Sequence, residues 1–232
     1  MTAMEETIRF LPAGDDALVV EFGREVDEAV NQRVHDMARW LETRSIPGVT
    51  EVLPTFRSLM VFYAPEKISY SALVRKLRRY RPAEKSGELA EKTVLQVPCC
   101  YDGPDLDGMT ALTGLSREEI IAIHSGVDYK IYMMGFLPGF VYLGGLDKRI
   151  CVPRLETPRT RIEPGSVGIG GSQTGVYPVA SPGGWRVLGR TYLKFYDPHR
   201  AEPILCRAGQ YIRFVPISSE EYAEGARKEG LL

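Results

Sequence analysis

The stretch Gly165-Ser-Val-Gly-Ile-Gly-Gly-Ser-Gln-Thr-Gly-Val-Tyr-Pro178 sets short β-branched runs, 166–169 and 175–179, on either side of a glycine turn. Runs this short, bounded by Gly and Pro, read as strands of a small closed or packed sheet. The same pattern extends in both directions. Strands are expected at 127–134, 150–153, 187–190, 192–196 and 211–215, with another at Thr93–Cys99. Ser116-Arg-Glu-Glu119 is a capping box, so residues 117–124 read as a helix that Gly126 ends, and a short helical turn follows Asp107. Residues 93–232 therefore read as a β-barrel or β-sandwich domain.

Upstream the periodicity changes. Leu18, Val20 and Phe22 alternate as a strand face, and Val30, Val34, Met37 and Leu41 recur at helical spacing over 26–43 until Ile46-Pro47-Gly48 stops them. Residues 49–54 and 58–64 read as two more strands, and Ser69 caps a helix with Tyr70, Leu73, Leu77 and Tyr80 on one face. Strand, strand, helix thus occurs twice, the pattern of a two-layer α+β domain over residues 1–82. Residues 83–92 are polar and poor in large apolar groups, a linker.

Composition bounds the function. The 232 residues carry a net charge of −1, which gives no global attraction to nucleic acid or an anionic membrane. No apolar run is long enough to span a bilayer, and Met1–Phe10 lacks a signal-peptide pattern, so a cytoplasmic protein is expected. The four cysteines form no C-x-x-C and read as reduced thiols, and the three histidines have no zinc spacing, so no metal site and no tightly bound cofactor is expected.

Residues 135–190 hold 12 of the 23 glycines and seven cationic side chains against three carboxylates, a local excess of +4. Glycine lets backbone approach a ligand closely, although small barrels also need it at corners. The segment suits a small carboxylate or phosphate. Arg154 and Arg159, each behind a proline, are candidates for bidentate anion binding, or for ion pairs with Glu156 or Glu163. Gly170, Gly171, Gly183 and Gly184 are candidate backbone contacts, and Gln173 and Thr174 offer neutral hydrogen bonds. His124 is the candidate acid or base, or else a helix-end histidine satisfied by backbone. Phe136, Phe140, Tyr142 and Trp185 are core, interface or pocket wall. Dinucleotide and Walker motifs do not fit: Gln173 stands where a third glycine belongs.

His124-Ser125, Met134-Gly-Phe-Leu-Pro-Gly-Phe-Val-Tyr-Leu143, Pro153-Arg154, Pro158-Arg159, Gly165-Ser-Val-Gly-Ile-Gly-Gly171, Gln173-Thr-Gly-Val-Tyr-Pro178 and Ser181-Pro-Gly-Gly-Trp185 occur in that order, with Gly14-Asp15 and Glu21-Phe22-Gly23 near the start. The chain resembles the allophanate hydrolase subunit 1 family over nearly its whole length. The resemblance implies an α+β N-terminal domain and an all-β, cyclophilin-like C-terminal barrel. It also implies a heteromer: a C subunit with a similar barrel, and an A subunit of another fold. Such a complex opens 5-oxoproline to glutamate while hydrolysing ATP, a co-substrate taken with magnesium. The same family admits a non-enzymatic member, an inhibitor of a sensor histidine kinase. A third reading, carboxyl transfer to urea-like substrates, fits less well, because the chain has no biotin-carrier Met-Lys-Met.

Overall fold

A computed structural model describes residues 8–25, 27–81 and 92–231. The proposed linker lies outside these residues except for Lys92. The chain divides into two compact units, Met1–Glu91 and Lys92–Leu232.

In the first unit, β1 (Arg9–Pro12), β2 (Ala17–Glu21), α1 (Glu28–Arg44), β3 (Val49–Pro54), β4 (Ser58–Tyr63) and α2 (Tyr70–Leu77) follow in sequence. The strands form one antiparallel sheet in the order β1-β2-β4-β3, so the second strand of each repeat lies at the centre. Burial alternates along β2 from Leu18 onward and along β4: Leu18, Val20, Leu59 and Val61 are fully buried. They face Val34, Met37 and Leu41 of α1 and Leu73 and Leu77 of α2 in a single core. Asp27 caps α1 by accepting from the Ala29 and Val30 amides, and Ser45, at φ 42°, ends it in the left-handed region.

The second unit begins with β5 (Val94–Cys99), α3 (Leu106–Thr113), α4 (Arg117–Ser125), β6 (Tyr129–Met134) and β7 (Val141–Gly144). It continues through β8 (Arg159–Ile162), β9 (Ser166–Gly170), β10 (Gln173–Val176), β11 (Ser181–Gly183), β12 (Arg186–Arg190), β13 (Tyr211–Pro216) and α5 (Ser219–Lys228). Seven strands form one sheet in the order β12-β9-β10-β7-β6-β13-β5, antiparallel except for the parallel pair β13–β5. Beyond β5 the chain turns onto β12. Cys100 and Arg190 exchange both backbone hydrogen bonds at 2.9 Å, and the Gly103 amide donates to the Leu188 carbonyl. These bonds join the two edges of the sheet at one end, so that it nearly closes into a barrel. β8 and β11 form a separate two-stranded pair.

Several expectations are corrected. The C-terminal unit is not all-β, since it carries α3, α4 and α5. Residues 150–153 are not a strand: the Asp147 carboxylate accepts from the Arg149 amide and starts a 3₁₀ turn at Lys148–Ile150, leaving only a bridge from Val152 to Gly171. Residues 192–196 form no strand either, because the Leu193 amide turns back to the Thr191 hydroxyl. β10 starts at Gln173, two residues before the expected 175–179 run, and β7, β8 and β11 were not anticipated. The helix α5 opens with Ser218-Ser-Glu-Glu221, a capping box as clear as the one at Ser116.

Candidate functional site

Along β9, Val167 and Ile169 point into the barrel core, so Gly168 and Gly170 face outward. On β10, Thr174 and Val176 are the inward residues and Gly175 faces outward. The three outward glycines form a flat floor, and the Trp185 indole lies on it. A methyl group at Gly170 would come within 2.3 Å of the Trp185 Nε1, and one at Gly175 within 3.1 Å of the ring. Gly183 is similarly close to the Tyr177 ring and Ile162. The glycine density of this segment therefore builds an aromatic cluster on the outer face. Gly171 differs: at φ 67°, with open space around it, it turns the β9–β10 hairpin, and Gly184 is also uncrowded.

Phe140, Ile162, Tyr177, Trp185 and Val187 form this second, smaller core, with Leu137 and Tyr142 packed against it. Phe140 is its hub, 4.9 Å from Tyr142, 5.2 Å from Tyr177 and 5.5 Å from Trp185, ring centre to ring centre. Phe136 meets Phe140 edge-on at 5.6 Å but stays 66% exposed. Its φ of 70° is costly for an aromatic residue, and such strain collects at functional loops.

The arginines separate into two kinds. Arg159 forms a bidentate pair with Asp105 at 2.7 and 2.8 Å, and Asp105 also accepts from the Val187 amide. It is a structural clamp, and its partner is neither Glu156 nor Glu163. Arg190 pairs with Asp102 and lies over the Tyr222 ring, Arg161 pairs with Glu163, and Arg149 with Asp147. Asp102 and Asp105 come from outside the segment, so two of its seven cations are neutralised by carboxylates that a linear count omits.

Arg154 makes no ion pair among the described residues. It is exposed and stands over the Trp185 ring, 5.8 Å from its centre. Its charge favours ionisation of both nearby phenols, Tyr142 and Tyr177, against the burial that raises them.

His124 lies elsewhere, inside the barrel and without exposure. Its Nδ1 is 2.7 Å from the Tyr101 hydroxyl and its Nε2 2.8 Å from the Thr174 hydroxyl, and the ring stacks on Phe214 at 4.7 Å. Thr174 Oγ1 donates to the Gly168 carbonyl at 3.0 Å. Having one proton, it must accept from His124, so Nε2 carries the hydrogen and Nδ1 accepts from Tyr101. Burial lowers the His124 pKa to about 3. A proton-transfer role needs a ring nitrogen within reach of a reacting group, and both are occupied in the core. Nor is the ring satisfied by backbone; two side chains hold it. Thr174, also fully buried, belongs to this internal chain and not to the surface with Trp185. Gln173, one residue earlier, lies at the start of β10 and is partly exposed.

The structure thus brings together Phe136, Phe140, Tyr142, Trp185, Arg154, Gly170 and Gly183, turns His124 and Thr174 into the barrel core, and holds Arg159, the strand partner of Gly183, in its pair with Asp105. Tyr177, Asp105 and Tyr101 were not singled out from sequence. Tyr177 sits inside the quoted Gln173–Pro178 motif, but Asp105 and Tyr101 lie outside every motif that drew attention.

Residues 8–206 match the family described as carboxyltransferase domain, subdomain C and D. This chain belongs to that family. The B subunit of 5-oxoprolinase from Bacillus subtilis (strain 168) is 41% identical to this carboxyltransferase-domain chain over 227 residues, covering 90% of it and 92% of its own length. The protein of the same name from Escherichia coli O157:H7 is 40% identical over 207 residues, covering 88% and 93%. The crystal structure of TTHA0988 superimposes on the carboxyltransferase-domain fold of this chain with a TM-score of 0.80 at 35% identity, covering 88% of this chain and 40% of that one. In TTHA0988 the shared fold is one part of a longer chain.

Proposed function

We propose that this chain is the B subunit of an ATP-dependent 5-oxoprolinase, which opens 5-oxo-L-proline to L-glutamate together with A and C subunits. The observation that carries the reading is the 41% identity to a 5-oxoprolinase B subunit across nine-tenths of both chains. The sensor-kinase inhibitor reading draws no support from these relatives, which bear the name of a hydrolase subunit.

The lactam is a poor electrophile. Phosphorylation of its oxygen by ATP creates a leaving group, and water then attacks the ring carbon. This chain supplies a barrel of the cyclophilin-like kind, with an aromatic and cationic outer face, and it is inactive alone. In support, His124 is sealed in the core, and Asp102 and Asp105 are held by arginines. The described residues also bring no group of three His, Cys, Asp or Glu together for a metal ion. We assign ATP and its magnesium to the complex and derive no step through them on this chain. A cytoplasmic setting, where ATP is available, belongs to the same reading.

The test is phosphate release that depends on 5-oxo-L-proline, measured with purified A and C subunits and this chain. Omitting the chain should abolish it. Undiminished release without the chain would overturn the proposal.

A further inference from the structure

Arg154 and Trp185 are brought together by two hydrogen bonds between their neighbours, one from a side chain and one from backbone. The Pro153 carbonyl accepts from Arg186 Nε at 3.0 Å, and the Leu155 amide donates to the Gly184 carbonyl at 2.7 Å. The neighbours of Arg154 are thus bonded to the neighbours of Trp185, which places the guanidinium above the indole without any carboxylate. In the same segment Arg149, Arg159, Arg161 and Arg190 each have a carboxylate partner. An oriented guanidinium on an aromatic floor, left without an anion of its own, is a receptor for one from solution.

From this geometry we infer that Arg154, Trp185, Tyr142 and the strained, exposed Phe136 bind the lactam substrate through its carboxylate. The inference deepens the 5-oxoprolinase reading and rests on it for the identity of the ligand. Two features select a small ring carrying one carboxylate over a nucleotide triphosphate. One guanidinium with two parallel N–H donors matches one carboxylate, and Arg186, the neighbouring arginine that also lacks a carboxylate partner among the described residues, has its Nε engaged on the Pro153 carbonyl. A triphosphate needs several cations and a metal held by carboxylates, and of the carboxylates in this segment or paired to it, Asp102, Asp105, Asp147 and Glu163 are already bound to arginines, which leaves Glu156 alone among the described residues. Trp185 itself is only 4% exposed, so the apolar surface open to a small ring is that of the exposed Phe136 and the half-buried Tyr142.

The experiment uses the complex with its A and C partners. Arg154→Gln should raise the KM for 5-oxo-L-proline about tenfold or more, the loss expected for a charge-assisted contact, and leave the KM for ATP within about twofold. Arg154→Lys, a point charge without the fork, should fall between. An unchanged KM for 5-oxo-L-proline, or a rise confined to ATP, overturns the inference. A second readout does not need turnover. With 5-fluorotryptophan in this chain alone, the Trp185 fluorine signal, assigned by Trp40→Phe, should shift saturably with 5-oxo-L-proline. It should not shift with 2-pyrrolidinone, which lacks the carboxylate, nor with ATP. No shift with 5-oxo-L-proline, or an equal shift with 2-pyrrolidinone, also overturns it. If the wild-type complex hydrolyses no ATP in response to 5-oxo-L-proline, the functional reading fails, and the fluorine signal still decides the inference.

Discussion

The imidazole of His124 donates to the hydroxyl of Thr174 across 2.8 Å, and this bond ties α4 to the inward face of β10. The Thr174 hydroxyl directs its own proton to Gly168 on β9. Helix and hairpin are therefore joined through one buried oxygen. Thr174→Val keeps the shape and removes that oxygen, leaving the His124 N–H without its partner. The expected loss is about 1–3 kcal/mol, the penalty for an orphaned buried donor, read as a lower midpoint in urea unfolding. A midpoint equal to wild type would mean that the ring finds another acceptor.

The same histidine makes stability depend on pH. Its folded pKa is depressed by burial to about 3, against 6.5 when unfolded. Between those values the unfolded chain holds the extra proton, so stability is fully present above about pH 6.5 and falls as the pH is lowered. The slope approaches about 1.4 kcal/mol per pH unit. The window from pH 7 to 5 leaves out carboxylates held low by arginines, such as Glu21 and Asp128, which lose their contribution only at more acidic pH, and the comparison with His124→Gln removes the other histidines. Melting temperature measured across that window should fall more steeply for wild type than for His124→Gln.

Two arginine pairs in the same segment should behave differently. The Arg159–Asp105 side chains are 32% and 9% exposed, and Asp105 also holds the Val187 amide. Asp105→Ala strands both partners and should cost about 3 kcal/mol. The Arg161–Glu163 side chains are 65% and 66% exposed, where water screens the attraction. Arg161→Ala should leave the thermal midpoint within about a degree. Equal effects would contradict the clamp assigned to Arg159.

Neighbouring glycines should also separate. Gly170→Ala drives a methyl group into the Trp185 indole and should cost about 2 kcal/mol. Gly171→Ala meets open space and loses only its left-handed backbone freedom, about 1 kcal/mol. Trp185→Phe should relieve part of the first and none of the second, which a double-mutant cycle in urea measures.

Local signals in the sequence determined much of this protein. The alternation of Leu18 and Val20, the helical spacing of Val34, Met37 and Leu41, and the Ser116 capping box each lie within a few residues, and each appears where its period places it. The α5 capping box at Ser218 was equally legible. The ordered run of motifs from Met134 to Trp185 was enough to indicate the family. What tertiary structure decided was pairing over long separations. Cys100 meets Arg190 to close the barrel, Asp105 meets Arg159 across 54 positions, and His124 meets Thr174 across 50. A one-dimensional charge count could not include Asp102 or Asp105, because Coulomb attraction depends on distance in space. Burial also reversed the reading of His124, since exposure decides whether a ring can exchange a proton. The same folding left Arg154, alone of the two proline-led arginines, without a carboxylate among the described residues and set over Trp185.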